Sequence, residues 1–167
     1  KQEFDSGLNL AIKDFDVSNE IPNLVEAGVC SFKIEGRLKD IVYVKNNVSY
    51  LRQKLDSFLE GAGSDKYTKA SSGKCTYTFD SALNRTFNRG YTDYFVNERH
   101  QSIGSWESPK SKGQYIGKLI KTVGNSYQIE NGELLNNGDG LCFINENNEA
   151  EGIYVNLVEN ENMYRSV

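Results

Sequence analysis

The sequence predicts an α+β composite: the last β/α units of a TIM-type barrel, followed by a small antiparallel β-barrel. Three observations carry this reading. Strand and helix patterns alternate up to about residue 60, no long helical stripe follows, and from Gln114 short apolar runs recur between turn residues. Residues 1–64 then form the C-terminal fragment of a (β/α) barrel, 65–112 a connecting loop region with one short strand, and 113–167 a small β-barrel domain.

The elements follow in order. Leu8, Leu10 and Ile12 alternate with Asn9, Ala11 and Lys13, a strand pattern ending at Asp14. Pro22 suits the first turn of a helix and Gly28 the residue past its end, with NLVEA between them. VCSFKIE reads as a second strand. Ile41, Val44, Val48, Leu51 and Leu55 then recur every three or four residues, one apolar stripe of a helix that ends near Glu60. Strand, helix, strand, helix with short links implies parallel strands with crossover helices. Two such units cannot cover both faces of a sheet, so this half reads as the end of a larger barrel.

Residues 64–76 are polar and small, a linker, and TYTF after them is compatible with a strand. QYIGKLIKTV, the Gly124-Asn125 turn and SYQIE make a hairpin. ELL, a Gly138-Asp139-Gly140 turn, LCFI, a polar turn at 145–148, IYVNLV and MYRSV complete five or six short strands. Asparagine tolerates positive φ and favours turns, and 13 of the 18 asparagines lie from Asn84 onward, as a loop-rich β region requires.

Composition bounds the function. The chain has 167 residues, 38% hydrophobic and 25% charged, a globular and not a disordered mixture. No apolar run approaches the about 20 residues that span a membrane, and Lys1–Asp5 does not resemble a signal peptide. Met163 is the one methionine and Lys1 stands first, so a piece of a longer protein is expected. Cys30, Cys75 and Cys142 are too scattered for a disulfide framework, and are expected as buried, reduced thiols of a cytoplasmic protein. A zinc site from these and His100 lacks the usual ligand spacing, and His100 reads as a solvated loop residue.

Charge is uneven. Residues 1–83 carry a net of −1, residues 84–123 a net of +4, and residues 124–167 a net of −7, giving −4 in all. The basic stretch also holds Phe87, Tyr91, Tyr94, Phe95, Trp106 and Tyr115. Such interleaving serves nucleic-acid binding through phosphate contact and stacking, or a loop whose aromatics simply pack inward.

Chemistry is expected where barrel strands end. The first strand end offers Lys13, Asp14 and Asp16; the second is the run Lys33-Ile34-Glu35-Gly36-Arg37. Alternation puts Lys33 and Glu35 on one face, inside the barrel if Phe32 and Ile34 face the helices. A charged pair there is costly unless paired or functional, and Arg37 beyond the Gly36 turn suits a carboxylate or phosphate. A structural salt-bridge network at the barrel mouth satisfies the same pattern. We assign catalysis to Lys33, Glu35, Arg37 and Asp14, substrate binding to Lys13, Arg85, Arg89 and Tyr91, and no metal ligand. Phosphate-loop, dinucleotide and serine-elbow patterns are missing from the sequence.

The run AGVCSFKIEGRLKD with YVKNNVSYLRQKLD, then TFNRGYTDYF and SPKSKGQYIGKL, resembles the collagenase-like peptidase family U-32 over nearly the whole chain. The resemblance implies a (β/α) barrel with a small β-barrel after it. It implies a peptidase, with this chain supplying barrel-mouth residues and a substrate-binding β-barrel. Alternatively, it implies an iron–sulfur enzyme that hydroxylates transfer or ribosomal RNA, whose β-barrel binds RNA. The cluster's cysteines would lie upstream, so no cofactor is expected in this chain. The expected partners are the missing N-terminal barrel portion and a protein or RNA substrate. No membrane is expected, and a homo-oligomer of the fragment is, since incomplete strands leave apolar surface open.

Overall fold

The structure is a computed structural model that describes residues 11–99, 102–105, 110–130, 135–147, 150–160 and 163–166. The chain divides into two compact units, Lys1–Ser111 and Lys112–Val167. Both helices lie in the first unit and the antiparallel sheets in the second, so the fold is α+β.

In the first unit, strand β1 (Asp14–Phe15) pairs in parallel with β2 (Tyr91–Thr92), and Ile12 bridges to Gly104. Of the expected first strand, Leu8 and Leu10 lie outside the described residues. Helix α1 (Ile21–Glu26) begins with Pro22 in its first turn, where a missing N–H costs nothing. Gly28, at φ +96°, turns the chain out of it. Helix α2 (Ile41–Glu60) starts where Asp40 accepts a hydrogen bond from the Tyr43 N–H at 2.7 Å, an N-cap the apolar stripe alone did not reveal. Near its C-terminal end the Arg52 guanidinium holds the Asp56 carboxyl below the usual carboxylate range, and Lys69 reaches the same carboxylate at 2.9 Å.

Two expectations fail here. VCSFKIE forms no strand: residues 29–36 have no ladder partner among the described residues, and an unpaired parallel strand has nothing to hold its backbone groups. TYTF is likewise irregular. The units of a TIM-type barrel are therefore not formed by the described residues; the parallel pairing that exists is two residues long.

The helix also buries a different face from the one its periodicity suggests. Ile41 is 63% exposed and Val48 44%, whereas Asn46, Asn47 and Ser49 are buried. Asn46 decides this. Its amide donates to the Ala82 carbonyl at 2.8 Å and accepts from the Ala82 N–H at 2.9 Å, pairing with that backbone as a neighbouring strand would. It also donates to Thr86 Oγ1 at 3.2 Å. Asn47 donates back to the Tyr43 carbonyl. Among the described residues of this unit the buried apolar side chains are Ile21, Phe58 and Leu83, fewer than the buried polar ones. Hydrogen bonding thus does much of the work that apolar packing does elsewhere.

The second unit has an apolar centre. Strand β3 (Lys118–Val123) and β4 (Ser126–Glu130) form the expected hairpin across the Gly124-Asn125 turn. β5 (Gly140–Ile144) pairs with β6 (Ala150–Tyr154), and β7 (Leu157–Asn160) with β8 (Met163–Arg165). The four-stranded sheet runs β3-β4-β8-β7, with β5-β6 a separate ribbon. These are open antiparallel sheets among the described residues, not the closed small barrel the strand spacing predicts. IYVNLV is not one strand: it breaks at Val155-Asn156, where the Val155 N–H turns to the Asp139 carbonyl and its carbonyl accepts from Gly138. Val155 is thereby buried with Ile129 and Tyr164, and Ile116, Leu135, Leu141 and Val158 pack around them. Gly117, at φ +140°, has no room for a side chain: a Cβ there would stand 2.1 Å from the Glu130 carbonyl oxygen.

Asn46→Ala strands the Ala82 N–H and carbonyl, and is expected to lower stability by about 2 kcal/mol, read from the urea unfolding midpoint. Leu38 (97% exposed), Ile41, Val42 and Val48 leave apolar surface open on and before α2. Light scattering is expected to find a dimer or larger species, and Ile41→Lys with Val42→Lys to return it toward monomer.

Candidate functional site

Three chain segments meet at β1. The Asp14 N–H donates to the Gly90 carbonyl at 2.8 Å, the Asp16 N–H to Thr92 at 2.9 Å, and the Lys13 N–H to Ile103 at 2.9 Å. Gly90, at φ +81°, lets the chain turn so that both the backbone and the side chain of Arg89 reach one carboxylate. The Arg89 N–H donates to Asp14 Oδ2 at 2.8 Å, and its guanidinium to Asp14 Oδ1 at 2.8 Å. Asp14 and Arg89 were singled out separately, from a strand end and from a basic stretch 75 residues away; the fold makes them one unit.

Lys13 and Tyr91 join them. Lys13 Nζ donates to the Ser102 carbonyl at 2.9 Å, and its methylenes run beside Gly90. Tyr91 pairs across from Asp14, and its hydroxyl donates to the Leu83 carbonyl at 2.9 Å. Burial pushes the Tyr91 phenol well above its ordinary range, and the neighbouring Tyr43 phenol and Asp14 carboxylate add to the shift. Tyr91 is therefore a fixed hydrogen-bond donor, not a base. Arg85 is exposed on the 83–85 helical turn.

Past Tyr91 a cleft of about 270 Å³ opens, lined by Asp16, Val17, Asn19, Glu20, Thr92, Asp93 and Asn97 as well as Tyr91. Its carboxylates are tied locally. Asp16 accepts from the Ser18 N–H and hydroxyl, and Asn97 donates to Glu20 at 3.2 Å and to Asp93 at 2.6 Å. Asp16 belongs to the strand-end trio; Glu20, Asp93 and Asn97 carry no spacing in the sequence that marks them.

The second expected constellation lies elsewhere. Lys33 and Glu35 do pair, at 2.7 Å, but in solvent, with side chains 84% and 69% exposed. The hydrogen bond to Glu35 raises the Lys33 ammonium pKa. Arg37 sits in an exposed turn. The expected burial of this pair is corrected: with no strand at 29–36, the residue alternation has no barrel interior to point into.

An aromatic cluster was missed altogether. Lys39 Nζ lies 3.1 Å from the centre of the Phe87 ring and 5.6 Å from that of Tyr43, and the Arg89 guanidinium carbon lies 5.9 Å from the Phe87 centre. Phe87 belongs to the basic stretch, but Lys39 is 48 residues away and no spacing in the sequence joins the two.

The cysteines do not fit a metal centre. Cys30, Cys75 and Cys142 are exposed free thiols, a correction to the expected burial, and no group of three His, Cys, Asp or Glu able to hold a metal occurs among the described residues. His100 and Trp106 lie outside the described residues. Among the described residues no helix is long and apolar enough to cross a membrane.

The sequence model of Peptidase family U32 matches residues 1–105. The chain is 42% identical over 158 residues to the 23S rRNA 5-hydroxycytidine C2501 synthase of Escherichia coli (strain K12), covering 93% of this chain and 24% of that protein. It is 31% identical over 148 residues to a collagenase of Porphyromonas gingivalis, covering 78% of this chain and 38% of the relative. Over 56 residues it is 39% identical to the tRNA hydroxylation protein P1 of Bacillus subtilis (strain 168), 34% of this chain and 13% of that one. The chain thus spans less than two fifths of the length of each of these relatives. No solved structure matches it.

Asp14→Ala removes two charge-assisted hydrogen bonds from Arg89 and is expected to lower stability by about 2 kcal/mol. Lys33→Ala is expected to leave the unfolding midpoint unchanged, because its partner is solvated. Urea denaturation of both variants checks the contrast.

Proposed function

The chain belongs to peptidase family U32, and from that premise we propose that it is the RNA-binding part of an RNA-hydroxylating enzyme. The observation that carries this is the 42% identity to the rRNA hydroxycytidine synthase, sustained over 93% of the chain. The likeness to the collagenase is weaker and covers less of the chain. The basic, aromatic stretch from residue 84, with Arg89 held in place by Asp14, supports the same reading.

In this proposal Lys13, Arg85, Arg89 and Tyr91 touch the RNA. Arg85 and Arg89 meet phosphate, while Tyr91 stays protonated and orients the loop. Lys33, Glu35 and Arg37 act at the mouth of a barrel that needs more chain than these residues supply. There the exposed pair becomes covered, and a Lys–Glu pair shielded from water gains the strength it lacks here. Asp14 acts at β1 as a positioning residue that holds Arg89. An iron–sulfur cluster, if the full-length enzyme uses one, would be held by cysteines other than Cys30, Cys75 and Cys142. This reading assigns the protein to the cytoplasm.

The peptidase reading is supported by the two collagenases at 31% and 30% identity over 148 residues. The two readings separate in one experiment. Cells lacking the full-length gene are expected to lose a hydroxylated nucleoside from ribosomal RNA, read by mass spectrometry of the digested RNA. Wild-type complementation restores it; Lys33→Ala, Glu35→Ala or Arg37→Ala does not, although the proteins remain folded. Unchanged RNA together with gelatin cleavage by the purified full-length protein would replace this reading with the peptidase one.

A further inference from the structure

Lys39 is a cation without a counter-charge. Its ammonium rests over the Phe87 ring at 3.1 Å and near Tyr43 at 5.6 Å, and no carboxylate pairs with it among the described residues. The nearby acids are already engaged. Asp14 is taken by Arg89 through two hydrogen bonds, and Asp40 accepts from the Tyr43 N–H at the start of α2. The first turn of α2 holds no acidic residue either. Arg89 leans on the same ring, and Lys13 lies along Gly90 beside it. Lys39 and Arg89 therefore share the Phe87 ring, and the Asp14 carboxylate is hydrogen-bonded to Arg89.

A lysine on open surface loses rotamer freedom when it grips a ligand. One already seated on an aromatic face has lost part of that freedom beforehand, and keeps its outward N–H donors available. Lys39 is half-buried, and a lysine stem can lie along apolar surface while its ammonium stays in water. An ammonium is a compact point charge suited to a phosphate oxygen.

We propose that Lys39, seated on Phe87, is a phosphate-contacting residue for single-stranded RNA, with Arg89 beside it. This rests on the RNA reading above and adds a residue from a different part of the chain. Phe87 acts through Lys39: its near face is occupied by the ammonium, so it positions the cation and does not stack a base.

The test is anisotropy of a short fluorescent single-stranded RNA with the 167-residue chain, repeated across a salt series. For wild type, log Kd rises with log salt. Lys39→Gln is expected to lower that slope by about 0.7, the value for one phosphate contact to a single strand. Lys39→Arg restores the slope. Phe87→Leu keeps it but weakens binding several-fold, because the charge remains and only its placement is lost. A merely structural Lys39 would change the unfolding midpoint and leave the slope alone. Wild-type binding with an unchanged slope in Lys39→Gln overturns this inference and spares the RNA reading. No wild-type binding at low salt overturns both. Equal displacement by poly-glutamate would assign the cation to carboxylates and also overturn the phosphate role.

Discussion

The first unit depends on one carboxylate. Asp14 sits at the start of a two-residue parallel pairing too short to hold itself, and it receives both the backbone N–H and the guanidinium of Arg89. That clamp closes a loop of 75 residues. The Gly90 turn, the Tyr91 hydroxyl on Leu83, and the ring of Phe87 under Lys39 all follow from where it places residues 87–91. A neutral contact of the same size would be weaker, because hydrogen bonds with an ionised partner are about twice as strong as neutral ones. The interaction that secures the fold thus also decides which cations face outward.

The two units illustrate different ways of satisfying a chain. In the second, Ile129, Val155 and Tyr164 form an apolar centre between hairpins, and its strands follow the turn residues closely. In the first, amides replace apolar packing. Asn46 imitates a strand edge for Ala82, and Asn88 bonds to the carbonyls of Asn84 and Thr86. The apolar stripe of α2 is left partly in water as a consequence. The helix thus has a polar buried face and a partly open apolar one.

Membership of family U32 links these features to chemistry without deciding it. Sequence relatives include a 23S rRNA 5-hydroxycytidine synthase and collagenases, names for chemistries as different as nucleoside modification and collagen cleavage. The difference must reside in groups placed around a shared scaffold. Lys33, Glu35 and Arg37 are solvated here, and a charged pair changes character when water is excluded from it.

The sequence by itself determined the local elements whose signals are local. Pro22 and Gly28 bracketed α1, the 41–55 periodicity marked α2 to its end at Glu60, and Gly124-Asn125 placed the β3–β4 hairpin. It also carried the family resemblance, because KIEGR and its followers are contiguous runs. Tertiary structure decided the rest. Whether VCSFKIE becomes a strand depends on a neighbour to pair with, which no property of those seven residues supplies. Which face of α2 is buried was decided by Ala82, 36 residues from Asn46. The pairing of Asp14 with Arg89 and the seating of Lys39 on Phe87 required segments 75 and 48 residues apart to meet. Periodicity reports how a segment could pack; only the closed chain determines against what, because burial and hydrogen bonding are properties of pairs.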